Sequence, residues 1–247
     1  LGAGTLDLPP AMSPLERTLT LMLFVQRWRD AIASRNPDGA EAASNTPAQA
    51  AALAAELGQL MDMVETEGVD LSKVASLVPD TFAEHWRKTL EFLDIVTATW
   101  PDYLHTRGCV SAVGRRNALI AAEAERLASL PPKGPVIIAG VTGSIPATVK
   151  LMRAVPQLEN GAIVLHALDL HLHPPSWESV AQSPEHPQFG LKKLLDALGL
   201  ARHDVKILPG PRAPKALTQR ARLMSEAMRP SITTQSWHAY TSSADTE

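Results

Sequence analysis

The chain has 247 residues, a hydrophobic content of 45% and a net charge of −3, which together are typical of a soluble globular protein. No apolar run is long enough to span a bilayer. The single cysteine, Cys109, excludes an internal disulfide and any metal or iron–sulfur site held by four cysteines of this chain. A cysteine-poor chain without a secretory leader fits the cytoplasm, with no membrane partner. Because it starts without Met, we expect it to be a piece of a longer protein.

Charge is distributed unevenly along the chain. Residues 1–110 contain 8 Lys or Arg and 15 Asp or Glu, whereas residues 186–230 contain 9 Lys or Arg and 3 Asp or Glu. An acidic first half and a basic later stretch predict two surfaces with different partners. Solvated helix surfaces that merely differ in charge are an equally good interpretation.

The first 130 residues have the periodicity of helices and predict a helical subdomain at residues 1–130. A helix start is indicated by Ser13-Pro14-Leu15-Glu16, with a cap, a Pro at the first helical position and a Glu able to close a capping box. The same signal recurs at Thr46-Pro47-Ala48-Gln49, and Gly68 ends that second helix. The predicted apolar sides of these two helices are formed by Leu15, Leu19, Met22, Leu23 and Val25 and by Leu53, Leu57, Leu60, Met61 and Val64.

Two more helices are predicted before Pro131, where the helical periodicity gives way to alternating short apolar runs and helical segments. One covers residues 80–108 and the other residues 112–130. The inward residues of the first are Phe82, Trp86, Leu90, Leu93 and Trp100.

From Pro131 onward, short apolar runs alternate with helical segments. Strands are predicted at residues 136–139, 162–165 and 205–208, and helices begin at Pro146, Gln188 and Pro214. Such alternation predicts parallel strands joined by right-handed crossovers. We therefore predict a mixed α/β chain, with a partial α/β layer at residues 131–230 and an extended tail at residues 231–247. A sheet of three strands is thin, which favours part of a larger domain.

The first predicted strand runs into a glycine turn at residues 140–144. A phosphate-binding P-loop needs Lys directly after its last glycine, but here Ser144 follows Gly143. A dinucleotide fingerprint needs three glycines, but only Gly140 and Gly143 are present. What remains is a helix N-terminus with Ser144 as its predicted cap. Thr142 and Ser144 are therefore candidate contacts to a DNA phosphate, and a plain strand-to-helix turn is the alternative.

A possible metal site follows the second predicted strand. On an extended chain Asp169, His171 and His173 would share one side, a spacing that metal sites use. Two prolines break the strand immediately afterwards, so a structural or solvent-exposed role is the favoured interpretation, and these three residues stay weak metal candidates.

The basic stretch supplies the remaining candidates for nucleic-acid binding. Lys215, Arg222 and Arg229 are spaced seven residues apart on a predicted helix and would lie along one side of it, where they could track phosphates. Lys192 and Lys193 precede them in the basic stretch. A solvated helix surface is the alternative, because no aromatic residues are interleaved.

Several long segments of the sequence, in the same order along the chain, resemble segments of one protein family. They are "LDLPPAMSPLERTLTL", "ETEGVDLSKVASLVPDTFAEHWRKTLEFLDIVTATWP", "GRRNALIAAEAERL", "GVTGSIPATVKLMRAVPQLENGAIVLHALDLHLHPPSWESV", "HPQFGLKKLLDALG" and "SEAMRPSITTQSW". Together they resemble the AddB-type subunit of the AddAB helicase–nuclease in its alphaproteobacterial form. The resemblance covers nearly the whole chain.

The resemblance implies a role in processing double-strand DNA breaks for recombinational repair, with an AddA-type subunit and DNA as partners. It implies an interior segment of the helicase-like region, whose strands are part of a RecA-like core. ATP, magnesium and an iron–sulfur cluster are implied for the full helicase and exonuclease complex, but no cofactor is expected in this segment. In this setting the turn at residues 140–144 is a degenerate helicase turn that faces single-stranded DNA.

Three functions remain open from the sequence. The leading one is a non-catalytic scaffold that guides DNA and holds the motor subunit. The second is a free-standing α/β enzyme or ligand-binding protein that uses the turn from Gly140 to Ser144. The third is an assembly module that never contacts DNA.

Overall fold

The computed structural model describes residues 8–35, 46–70, 83–210 and 214–237. The chain forms two compact units that meet in sequence between Ala122 and Glu123. The first unit is helical, and the second contains helices and a small parallel sheet. This is a mixed α/β chain in the broad sense.

The first unit contains five helical segments in the described residues. They are α1 (Pro14–Arg35), α2 (Pro47–Glu67), α3 (Ala83–Asp94), which continues through a π-helical turn (Ile95–Thr99) into α4 (Trp100–Arg107), and α5 (Ala112–Ser129), which runs on into the second unit. Thr46 and Gln49 form the expected capping box, and Gly68 ends α2 in a left-handed conformation. At the start of α1, Ser13 Oγ accepts a hydrogen bond from the backbone N–H of Glu16. The sequence therefore predicted these helix ends correctly. The predicted start at Asp80, together with Phe82 and the side chain of Trp86, lies outside the described residues.

The core of the first unit forms where α1 packs on α2 and on the α3–α4 helix. The first two helices run antiparallel, because Arg17 contacts Asp62 whereas Arg29 contacts Gln49. Aromatic rings of α1 meet those of the α3–α4 helix edge to face or tilted. The buried residues here include Leu21, Val25, Leu57, Met61, Ile95 and Trp100.

The predicted apolar side of α1 is wrong for three of its leucines. Leu15, Leu19 and Leu23 are 69%, 53% and 57% exposed. The helix carries apolar residues on two sides, and the side with Leu21 and Val25 is the one that packs on α2. Apolar spacing alone could not decide between the two sides.

The second unit is built around two parallel strands, β1 (Val136–Ala139) and β2 (Gly161–Val164). Their register pairs Val136 with Gly161 and Ala139 with Val164. The helix α6 (Pro146–Ala154) forms the crossover between the strands, as the sequence predicts. After β2 come α7 (Pro174–Ser179), α8 (Phe189–Leu198) and α9 (Lys215–Ala227). The predicted helices after Gln188 and Pro214 are thereby confirmed.

Among the described residues, one side of the sheet is covered and the other is not. Ile138 and Ile163 pack against Met152 of α6 and against Leu191 and Leu194 of α8. On the opposite side Ile137 is 62% exposed, and Ala162 is exposed as well. A second apolar cluster lies beyond the strand ends, around Trp177 of α7.

The third predicted strand, at residues 205–208, is wrong. A 3-10 turn (Arg202–Asp204) precedes it, and Val205 packs in the cluster around Trp177 while Ile207 is 78% exposed. Asp204 accepts the N–H of Ala201, and Arg202 binds backbone carbonyls of the loop after β2. These side-chain contacts fix the turn that precedes residues 205–208, and residues 206–208 follow it without regular structure.

Two local predictions at the ends of this unit are also corrected. The N-cap of α6 is Ile145 instead of Ser144, because Pro146 fixes the first helical position and leaves Ser144 one residue too early. The start of the predicted extended tail is a 3-10 helix (Ser231–Ser236), in which the N–H of Thr233 donates to Pro230 O. Residues 238–247 lie outside the described residues.

Candidate nucleic-acid interface

The glycine turn at residues 140–144 is shaped by packing. Gly140 and Gly143 have φ values of +73° and +67°, which favour glycine. A Cβ atom on Gly143 would lie 2.5 Å from Leu194 Cδ1, so the inner side of the turn is filled by a leucine of α8. Thr142 and Ser144 are exposed on the outer side, next to the N-terminus of α6. The turn can therefore touch a ligand only from outside.

The residues of this segment do not fit the cofactors that the family resemblance implies for a full complex. A nucleotide phosphate would need a cradle of backbone N–H groups and a following Lys, but Gly143 packs on Leu194 and Ser144 follows it. The single Cys109 cannot supply the cysteines of an iron–sulfur cluster. No step through ATP, magnesium or a cluster is therefore assigned to these residues.

The loop after β2 is held together by its own polar groups. The carboxylate of Asp169 accepts the backbone N–H groups of His171 at 2.7 Å and of Leu172 at 3.0 Å. The side chain of Gln188 donates to Ala167 O and accepts the N–H of Asp169. Ala167 has a φ of +55°, so Gln188 stabilises a strained backbone position.

This loop gives Asp169, His171 and His173 no shared ligand geometry. The segment is a series of bends instead of an extended strand, and both histidines are exposed. Asp169 caps a turn. Among the residues that the structure describes, no group of three or more His, Cys, Asp or Glu side chains could hold a metal ion.

Arg202 holds this loop through hydrogen bonds to its backbone, a role that the sequence did not predict. Its guanidinium donates to Asp169 O at 3.0 Å and to Leu172 O at 2.8 Å, and it lies 4.9 Å from the ring centre of Trp177. Burial lowers the pKa of Arg202, which the nearby carboxylates of Asp169 and Glu178 partly offset. The residue borders a cleft of about 630 Å³ between α7 and the end of α8. A lone Arg in a basic stretch carries no signal that distinguishes this role.

Lys192 is a structural lysine. Its side chain is only 8% exposed, and Nζ lies 2.7 Å from Asp196 and 3.0 Å from Glu178. Burial lowers the pKa of Lys192, but the hydrogen bonds to Asp196 and Glu178 outweigh burial, so the pKa is raised. Because both neighbouring carboxylates already neutralise the ammonium, we remove Lys192 from the nucleic-acid candidates.

Arg229 is also removed from the predicted basic stripe. The helix α9 ends at Ala227, so Arg229 lies beyond the helix. Its side chain is 3% exposed, is paired with Glu226 through Nε and Nη2, and donates from Nη1 to Ser176 Oγ at 3.1 Å. The seven-residue spacing suggested a continuous helix side, but it could not show where the helix ends.

The neighbouring His186 links the two ends of this region. The N–H of Gln188 donates to His186 Nδ1 at 3.1 Å, so Nε2 carries the proton and donates to Met228 O at 2.8 Å. One imidazole therefore connects the start of α8 to the end of α9. No motif or spacing in the sequence distinguishes this histidine from the others.

Five basic residues of the stretch point into solvent and form no ion pair within the described part of the chain. They are Lys193, Lys206, Lys215, Arg220 and Arg222. On α9, Lys215 and Arg222 lie on one side, about 10 Å apart along the axis. This pair is the part of the predicted stripe that the structure retains.

The chain matches no protein-family model, and neither curated proteins nor solved structures are significantly similar to it. Over the described residues, no helix combines the length and the apolar character needed to cross a bilayer. The function must therefore be argued from the exposed cations and from the sequence words quoted above.

Proposed function

We propose that this chain is a non-catalytic, helicase-like segment of an AddB-type subunit, which guides single-stranded DNA beside an AddA-type motor during double-strand break repair. In this proposal the two strands belong to a larger RecA-like layer, and the protein works in the cytoplasm. The parent complex is an ATP-dependent helicase and exonuclease whose cofactors lie elsewhere.

The observation that carries the proposal is the pair of exposed cations Lys215 and Arg222 on α9. A phosphate contact needs a cation that is accessible and not already neutralised, and both residues meet this requirement. Lys193 and Arg220 are also exposed and add to the positive charge of the second unit. No base-reading group is needed, because a guiding segment must accept every sequence.

The turn at residues 140–144 supplies a secondary contact in this proposal. The hydroxyls of Thr142 and Ser144 are exposed beside the N-terminus of α6, where the helix dipole favours a phosphate. Their contribution is small beside that of the cations, because the leucine packing of Gly143 prevents the turn from wrapping around an anion.

The experiment is a salt titration of binding to a fluorescent oligothymidylate, followed by anisotropy. We expect weak binding whose log affinity falls with log salt by about 0.7 for each phosphate contact. The double variant Lys215→Glu with Arg222→Glu removes two contacts, so its slope is shallower by about 1.4. The matched single variants Arg222→Glu and Arg27→Glu change the net charge equally, but only the first lies in the basic stretch.

Three outcomes would overturn the proposal. An unchanged slope in the double variant, or equal effects of Arg222→Glu and Arg27→Glu, would show that the basic side of α9 is only solvated. Magnesium-dependent ATP turnover that is abolished by changing Ser144 or Lys150 would instead establish the free-standing enzyme.

A further inference from the structure

A cavity of about 480 Å³ lies in the first unit, between α4 and the start of α5. Pockets that bind small molecules have volumes of about 300–1,000 Å³ and mostly apolar walls with a few polar groups. The apolar wall of this cavity is formed by Leu8, Pro101, Leu104, Val110 and Ala118. The cavity takes no part in the proposed DNA contact, which uses residues of the second unit.

Arg115 of α5 borders this cavity and is partly buried. Its Nε donates to Pro9 O at 3.3 Å, but neither Nη1 nor Nη2 has a hydrogen-bond or ion-pair partner among the residues that the structure describes. By contrast, Arg17 and Arg107 of the same unit each pair with a carboxylate. A partly buried cation without a counterion is unfavourable, so the guanidinium group favours an anion in the cavity.

The position of Arg115 along α5 also favours an anion. It is the fourth residue of this helix, near the positive end of the helix dipole, where anions are stabilised and cations are not. Helical side chains lean towards the N-terminus, so the guanidinium group is directed to that end. Residues that oppose such a local preference are expected where function requires them.

We propose that this cavity binds a small monocarboxylic acid with an apolar tail. The two terminal nitrogens of Arg115 match the two oxygens of a carboxylate, which they can hold in a bidentate pair. The tail of the acid then lies against the apolar wall, at Leu104, Val110 and Ala118. One guanidinium group balances one negative charge, so a monoanion fits this cavity better than a phosphate dianion.

Glu65 restricts the charge of the ligand further. It borders the cavity as well, and its carboxylate accepts the hydroxyl group of Ser111 instead of pairing with Arg115. Because like charges repel, Glu65 disfavours a second negative charge on the ligand. The other titratable side chains that border the cavity are those of His105 and Cys109.

Cys109 provides the readout, because it is the single cysteine of the chain and borders the cavity. The neutral reagent N-ethylmaleimide alkylates its thiol, and mass spectrometry of the whole chain follows the reaction. Octanoate should slow this alkylation in a saturable way, whereas octylammonium, which has the same length and the opposite charge, should not. Octanoate should also bind about tenfold more tightly than hexanoate, because two more methylene groups leave water.

Substitutions test the roles of the two charged residues. Arg115→Gln should weaken octanoate binding about tenfold, and Arg115→Lys about threefold, because lysine keeps the charge but loses the bidentate pair. Glu65→Gln should tighten octanoate binding about twofold, because it removes a like charge. Arg116→Gln is the matched control, since Arg116 is exposed and hydrogen-bonds to Thr66 and Asn117, and it should change nothing.

The proposal fails if octanoate gives no protection, or if octylammonium protects equally well. Octanoate binding that is as tight in Arg115→Gln as in the wild type would also overturn it, because the cavity would then select apolar molecules regardless of charge. Circular dichroism shows whether Arg115→Gln keeps its fold without the contact to Pro9. If it does not, the comparison of octanoate, hexanoate and octylammonium on the wild-type chain decides, since that comparison needs no variant.

Discussion

Gly143 lies so close to Leu194 that a Cβ atom on the glycine would sit 2.5 Å from Leu194 Cδ1. Leu194 is 1% exposed and belongs to the cluster that covers one side of the sheet. The leucine therefore has little room to move away. A turn whose glycines resemble a phosphate site is thus explained by strand-to-helix packing.

The two glycines of this turn should differ in their tolerance of alanine. Gly140→Ala introduces a side chain at a positive φ, but nothing lies within 4 Å of the new Cβ, so we expect a loss of about 1 kcal/mol in the free energy of unfolding. Gly143→Ala carries the same backbone strain and also displaces Leu194, which should add about 1–3 kcal/mol. Urea unfolding followed by circular dichroism measures both. Equal losses would mean that Leu194 moves freely and that packing does not shape the turn.

A second pair of glycines, both inside helices, should respond in opposite directions. Gly190 of α8 has open space around its Cβ position, so Gly190→Ala should stabilise the protein by roughly 0.5–1 kcal/mol through helix propensity. At Gly114 of α5, a Cβ would lie 2.5 Å from Glu65 Oε1 and 2.9 Å from Ser111 Oγ.

The side chains of Glu65 and Ser111 take part in one hydrogen-bonded arrangement, in which the carboxylate uses its other oxygen, Oε2. Ser111 Oγ donates to the Glu65 carboxylate and accepts the N–H of Gly114 at the start of α5. Gly114→Ala should therefore destabilise by about 1–2 kcal/mol despite the better helix former. In the Glu65→Ala background the penalty should shrink, because the nearest atom is gone. A stabilising Gly114→Ala would show that the carboxylate swings away without loss.

Adjacent lysines of α8 offer a third contrast. Lys192→Met removes the cation that pairs with Glu178 and Asp196, both of which stay largely in water, so we expect a moderate loss of about 1–2 kcal/mol. Lys193 is exposed, so Lys193→Met should change stability by less than about 0.5 kcal/mol. In the oligothymidylate assay the order reverses, and only Lys193→Met should flatten the salt dependence.

The stabilisation by Lys192 also has a defined pH dependence. The pKa of Lys192 is raised in the folded state, so its contribution is fully present below the pKa of the unfolded chain and is lost as pH rises through the folded pKa. The difference in unfolding free energy between wild type and Lys192→Met should therefore be constant near neutral pH and decline only in strongly alkaline solution. A difference that already declines near neutrality would mean that Lys192 does not keep its proton.

The ends of helices were predicted correctly where a single residue, such as a capping side chain or a glycine, determines the backbone conformation. Thr46 with Gln49 starts α2, and Gly68 and Gly108 end helices in the left-handed conformation. The short apolar run Val136–Ala139 forms the predicted strand, because four apolar residues, three of them β-branched, between two glycines favour a strand even though only one side is covered. The strand predicted at residues 205–208 is wrong, because an apolar run forms a strand only where a sheet edge pairs with it, and here the run follows a turn that Arg202 and Asp204 hold.

Sides of helices and roles of charges were less predictable, for a physical reason. Leu15 and Leu21 are equally apolar in sequence, but only tertiary packing decides that Leu21 is buried and Leu15 exposed. Likewise the sequence does not distinguish Lys192 from Lys193, and only the structure shows that Lys192 pairs with Glu178 and Asp196. Candidate sites drawn from charge spacing therefore need the structure to remove the cations that are already paired.

The sharpest contrast lies between Arg229 and Arg222, which the sequence placed in one stripe. The side chain of Arg229 is 3% exposed and joins Glu226 to Ser176 Oγ, so Arg229→Glu puts two carboxylates together in a buried site. We expect a loss of about 3–5 kcal/mol in unfolding free energy. Arg222→Glu changes an exposed side chain and should stay within about 0.5 kcal/mol of wild type. Chemical unfolding measures both losses in unfolding free energy. For the oligothymidylate assay Arg229→Met replaces Arg229→Glu, because it adds no carboxylate and leaves enough folded protein. In that assay we expect Arg222→Glu to flatten the salt dependence and Arg229→Met to leave it unchanged. If Arg229→Met flattened the salt dependence as much as Arg222→Glu does, Arg229 would contact phosphates after all, and its pairing with Glu226 would have to open when DNA binds.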